Sequence, residues 1–172
     1  MSVTPAGHVL VVCRGETCRL VELVVDGGSG PTMRQIRLPA DVCGPCHAVQ
    51  TTPGHYFVVA QRGGGGGGQS GLVVVDADGR LTDTYPVSPR PTRADRDDDD
   101  PAGELACPCH VTVDRHFLLV VDHDNHRVVS LSRSLRFLHE VVAVTLPNRL
   151  YLDHATRRLY IGHGCGVTVV HL

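Results

Sequence analysis

The chain has 172 residues, 42% of them hydrophobic but only 4% aromatic, with no tryptophan. That much apolar content supports one domain with a sizeable core and excludes a disordered chain. A net charge of -2 excludes a globally basic nucleic-acid binder, and no stretch approaches the roughly 20 apolar residues of a membrane span.

With so few aromatics the core has to be built from Val and Leu, and valine-rich runs favour strands. In chain order, short apolar or alternating runs predict strands at residues 8–13, 18–25, 33–38, 46–51, 56–61, 72–76 and 81–85. They continue at 109–114, 117–122, 127–131, 135–144, 149–153, 159–162 and 167–171, with Gly, Pro, Asp and Asn in between. Residues 131–146 come nearest to helical spacing, but Val141, Val142 and Val144 favour a strand there. Residues 1–7 lack the basic start and apolar run of a secretory signal, so the expectation is a cytoplasmic chain. Seven cysteines is an odd count, and a reducing compartment would keep them as thiols. All 16 basic residues are arginine, from which no function follows.

Three copies of one pattern can be laid over each other. The first runs Pro45-Cys46-His47-Ala48-Val49, Tyr56-Phe57-Val58-Val59-Ala60 and Gly71-Leu72-Val73-Val74-Val75. The second runs Pro108-Cys109-His110-Val111, Phe117-Leu118-Leu119-Val120-Val121-Asp122 and Arg127-Val128-Val129-Ser130-Leu131. The third runs Pro147-Asn148-Arg149-Leu150, Arg158-Leu159-Tyr160-Ile161-Gly162 and Gly166-Val167-Thr168-Val169-Val170. Pro108 and Pro147 are 39 residues apart, and Pro45 and Pro108 are 63 apart. The surplus sits in the glycine run 63–68 and in residues 86–103, which are expected to be mobile loops. A period near 40 with about four short strands per unit is that of a β-propeller. The predicted organisation is one all-β domain over 1–172. It comprises a degenerate first blade at 1–40, a second at 43–85, a disordered rim loop at 86–104, a third blade at 105–146 and a partial fourth at 147–172.

The stretch Asp122-His123-Asp124-Asn125-His126-Arg127-Val128-Val129 resembles the NHL repeat, whose second strand ends in Asp and whose third opens on Asn-His-Arg-Val. Pro108 through Asp114 is similar to the repeat's first strand, and the units at Pro45 and Pro147 follow the same scheme more loosely. The resemblance implies an all-β propeller of about four incomplete blades, as an open arc or a fragment, where such propellers usually close with six. An open arc leaves unpaired edges, and these carry an expectation of self-association. In the first reading the Asn-His pair is structural: its side chains cap the hairpin and bond neighbouring backbone.

Cys43-Gly44-Pro45-Cys46-His47 and Cys107-Pro108-Cys109-His110 occupy equivalent places in successive units. Thiolates and imidazoles suit zinc, which makes Cys43, Cys46, His47, Cys107, Cys109 and His110 the candidate metal ligands. The competing readings are plain structural thiols, which come first, and a disulfide or redox pair. Strand alternation works against a cluster, because Cys46 and His47 point to opposite sides. Peptidyl-hydroxyglycine lyases are NHL-like propellers that hold zinc through histidines following a Pro in the inner strands. Here the residues after the Pro are Cys46, Cys109 and Asn148, and none is His. The aspartates 97–100 lack the Gly-turn of a calcium loop and read as a solvated strip.

The resemblance implies a scaffold that offers a propeller face to a protein partner, with Asn125, His126, Arg127 and Arg149 as candidate contact residues. The alternative is RNA binding, which needs a basic face with stacking aromatics. The second alternative is a metal-dependent lyase-like or hydrolase-like propeller. No resident cofactor is implied apart from the zinc option, and no membrane partner.

Overall fold

The computed structural model describes residues 1–26, 30–62, 69–85 and 104–172. None of these residues is helical, and their strands form four antiparallel sheets. The first sheet comprises β1 (Ser2–Val3), β2 (Val9–Cys13), β3 (Arg19–Asp26) and β4 (Gly30–Arg37). The second comprises β5 (Val42–Thr52), β6 (His55–Arg62), β7 (Gln69–Val75) and β8 (Leu81–Tyr85). The third comprises β9 (Pro108–Val113), β10 (Phe117–Asp122), β11 (Arg127–Ser132) and β12 (Phe137–Ala143). The fourth has three strands, β13 (Pro147–Asp153), β14 (Arg158–His163) and β15 (Gly166–His171). In every sheet strands adjacent in sequence are adjacent in space, which is the meander of a propeller blade. The chain is an all-β, four-bladed member of the β-propeller class. The glycine run 63–68, most of the expected rim loop at 86–103 and the aspartates 97–100 lie outside the described residues.

Two compact units divide the chain, residues 1–68 with 72–84 and residues 69–71 with 85–172. In the first unit Leu10, Leu20 and Ile36 share a cluster with Ala48, Tyr56, Val58, Ala60, Val73 and Val75. These are alternate positions on their strands, so each sheet buries one face against the other. In the second unit Leu119, Val121 and Val128 of β10 and β11 pack with Leu150, Leu152, Leu159 and Ile161 of β13 and β14. The low aromatic content is visible in this packing: nearly every contact is aliphatic.

Two details depart from the strand reading of the sequence. The N-terminal blade has a fourth strand, β1, only two residues long and held to β2 by the pairs Ser2–Leu10 and Val3–Val9. Strand β5 begins at Val42 and runs through Gly44 and Pro45, two residues that would ordinarily end a strand. It does so across a register shift between Cys43 and His47, with Gly44 at a φ of 51°. Such a bulge leaves the proline without a ladder bond to donate.

Candidate functional site

The hairpin between β10 and β11 holds the NHL-like residues. Asp122 is fully buried, and its Oδ2 accepts hydrogen bonds from Asn125 Nδ2 at 2.9 Å and Arg127 Nε at 2.8 Å. Its Oδ1 accepts from the Ala106 backbone N–H at 2.6 Å. Arg127 Nη2 and Asn125 Nδ2 also donate to the Glu104 carbonyl, at 2.8 and 3.3 Å. His126 sits in the left-handed region at a φ of 56°, and its Nδ1 accepts from the Leu146 N–H at 3.1 Å. These polar groups therefore tie residues 104–106 and 146 to the hairpin. Arg149 is exposed on β13 and donates to the carbonyl and side-chain oxygens of Asn148 at 2.9 and 2.8 Å.

Cys43, Cys46 and His47 fall on β5 and Cys109 and His110 on β9, the first strands of their blades, with Cys107 one residue before β9. Cys43, Cys46 and His47 lie in the first unit, and Cys107, Cys109 and His110 in the second. His47 and His110 are buried, whereas Cys46 is exposed and Cys109 half-buried, as alternation requires. The Cys46 thiol donates to the Gly44 carbonyl at 3.5 Å, and the Cys109 thiol to the Asn148 carbonyl at 3.4 Å. None of the seven cysteines is in a disulfide. Among the described residues no group of three or more His, Cys, Asp or Glu side chains is gathered as a metal cage requires.

A cleft of about 520 Å³ opens in the first unit between the edge strand β4 and the β7–β8 turn. Its polar lining is Arg19, Arg34, Arg37, Gln35, Thr17 and Asp78. The turn is built by Asp76, whose Oδ1 accepts from the N–H groups of Asp78 and Arg80 at 2.9 and 2.8 Å. Those bonds, the Arg80 one first, hold the exposed carboxyl of Asp76 below its ordinary range. Arg34 Nη2 donates to the Ala77 carbonyl at 3.1 Å and so fastens one side of the cleft to the other. Gly79 approaches β4 so closely that a side chain there would meet the Arg37 carbonyl oxygen.

Arg19 and Arg37 are direct cross-strand partners, and both are exposed. Like charges placed opposite each other on a sheet are destabilising. Arg34 stands across the β3–β4 ladder from Glu22, and among the described residues Arg19, Arg34 and Arg37 form no salt bridge. The lining thus includes three arginines and one acidic residue, Asp78, with Arg19 and Arg37 on the face of β3–β4 opposite Arg34. Five-donor planar groups in this density are suited to carboxylate or phosphate oxygens.

Beside this surface lies a buried polar chain that sequence reasoning missed. Gln50 Nε2 donates to Tyr56 Oη at 3.1 Å, Tyr56 Oη–H donates to Glu22 Oε2 at 3.0 Å, and His8 Nδ1 lies 2.8 Å from Glu22 Oε1. Burial first, then the Glu22 carboxylate, pushes the Tyr56 phenol above its ordinary value of 10.0. These residues come from three strands and the turn before β2, and nothing in their spacing announces the contact.

No protein-family model matches the chain, and no curated protein matches it. Among solved structures it is similar to a protein of unknown function from Bacteroides caccae, at 16% identity and a TM-score of 0.69. The match covers 98% of this chain and 61% of that one, so the chain spans about three fifths of the length of its structural relative. At that identity the likeness shows the propeller-class fold alone.

Proposed function

We propose that the chain is an NHL-type propeller scaffold that recognises a protein partner through an acidic segment. The observation that carries this reading is the Arg19–Arg37 pair: two exposed like charges held opposite each other at the mouth of a cleft. The opposed charges work against the fold, whereas an anionic ligand turns the repulsion into binding. Clustered arginines are a recurring means of gripping acidic and phosphorylated peptide motifs. The NHL-like hairpin supports the assignment of the repeat but not of the site, since Asn125 and Arg127 bond residues of their own unit.

RNA is the second reading, because guanidinium groups also suit phosphates. The polar lining of the cleft contains no aromatic side chain on which a base would stack, which favours the peptide. Fluorescence anisotropy with a labelled acidic peptide and a single-stranded RNA of equal length separates the two. The expected result is saturable binding of the peptide and none of the RNA at physiological salt. RNA binding with a steep salt dependence would replace this reading with the second.

A further inference from the structure

The outer face of the last blade presents Tyr151, Tyr160, Val167 and Val169, which lie side by side through the pairs Tyr151–Tyr160, Tyr160–Val169 and Gly162–Val167. Tyr151 is 66% exposed, Val167 64% and Val169 47%, and the two tyrosine rings lie 5.9 Å apart. The repeat shows what this face is built for. Laid over the third blade by strand register, Tyr160, Gly162 and Val167 fall on Leu119, Val121 and Val128. Those three are fully buried, covered by Leu150, Leu152, Leu159 and Ile161 of the following blade. Of the same positions on the last blade Val167 is exposed and Tyr160 and Gly162 are half-buried, ringed by the polar side chains of Arg149, Asp153, Arg158 and His171. An apolar centre inside a charged rim is the anatomy of a protein interface.

The cover such a face takes is therefore an aliphatic blade face. The chain carries one at its other end. In the first blade Leu10, Leu20 and Ile36 are buried against the second blade. The opposite side bears the cross-strand row Val3–Val9–Leu23–Met33, with Val3 69% and Met33 56% exposed. We propose that two copies of the chain associate head to tail, the first-blade row of one copy stacking on the Tyr151/Tyr160/Val167/Val169 face of the other. The contact is heterologous: it joins two different surfaces and leaves one of each available for a further or reciprocal contact.

The test uses the full chain under reducing conditions, with sedimentation velocity over a range of concentrations. The wild type is expected to associate reversibly. Val169→Asp blocks the tail face and Met33→Asp the head face, and each alone should weaken association by about 30-fold or more. Mixing the two variants should restore a one-to-one pair and nothing larger, because one intact head and one intact tail remain between them. That complementation also shows that both variants fold. A wild type that stays monomeric at every concentration overturns the proposal. So does a Met33→Asp variant that still associates as the wild type does, since the last-blade face would then pair with itself.

Discussion

Asp122 and Arg127 are cross-strand partners that close the β10–β11 hairpin, with Arg127 Nε 2.8 Å from a carboxylate that has no solvent exposure. The pair matters because the same carboxylate also receives Asn125 and the Ala106 backbone, so one side chain organises the hairpin and the segment before β9. Truncating Asp122 leaves the largely buried Arg127 with only the longer, half-exposed contact to Glu140 at 3.9 Å. Asp122→Ala is expected to cost about 3–5 kcal/mol of folding stability. Urea unfolding followed by circular dichroism measures this, and a loss under about 1 kcal/mol would show that the clamp is solvated.

Asp114 on the third blade accepts a hydrogen bond from Arg157 Nη1 on the fourth at 2.6 Å, with His154 3.5 Å away. Burial alone would raise this carboxyl. The bonds from Arg157 and the Arg115 N–H, together with the charges of Arg157 and His154, outweigh it and hold the group below its ordinary 3.8. A depressed carboxylate gives stability that is present above the unfolded value and disappears as pH falls through the folded one. Arg157→Ala should therefore destabilise the protein by about 1 kcal/mol at neutral pH, the half-exposed guanidinium keeping the figure small. It should also flatten the acid limb of the stability curve below 3.8. Unfolding midpoints across that range decide it.

In the first unit, the raised Tyr56 phenol has the opposite sign. Its protonated form is favoured by folding, so its contribution is present at neutral pH and lost as pH rises through a value above 10.0. Tyr56→Phe removes the donor to Glu22 and the acceptor for Gln50, at a cost of about 1–2 kcal/mol. The variant should also lose Tyr56's share of the alkaline decline in stability, keeping that of Tyr85, whose phenol burial raises in the same way. Alkaline unfolding curves of the two proteins, with ultraviolet titration of the phenols, test both statements.

Gly79 holds a φ of +79°, and an added Cβ would lie 1.9 Å from the Arg37 carbonyl oxygen. Gly79→Ala combines a left-handed backbone with a clash against main chain, which neither side can relieve by a rotamer change. The expected cost is about 2–4 kcal/mol, with the cleft between β4 and the β7–β8 turn deformed. Thermal unfolding measures the first effect. Equal melting temperatures would contradict the close approach.

How much of this was legible depended on whether a pattern is local. Strands β8 and β10 begin and end where the sequence places them, because Leu81–Tyr85 and Phe117–Asp122 are compact runs between turn residues. The two-residue β1 has no periodicity to detect, and β5 hides its start behind Gly44 and Pro45. The β10–β11 hairpin was readable because Asp122, Asn125 and Arg127 lie within one motif. The arginine cleft was not: Arg19 and Arg37 become neighbours only through the β3–β4 register, and Asp78 reaches them from another sheet. Glu22, Tyr56 and Gln50 were invisible for the same reason, since a polar residue inside an apolar run looks like an outward-facing one until its partners are placed.

The most direct measurement is the affinity of an acidic peptide for the wild type and for the Arg19→Ala/Arg37→Ala double variant, with thermal unfolding of both. The account predicts a loss of about tenfold or more in affinity, as charge-assisted hydrogen bonds are removed. It also predicts a melting temperature that is unchanged or higher, because the opposed like charges are gone. Equal affinity in the two proteins would contradict it and take the binding site away from the cleft.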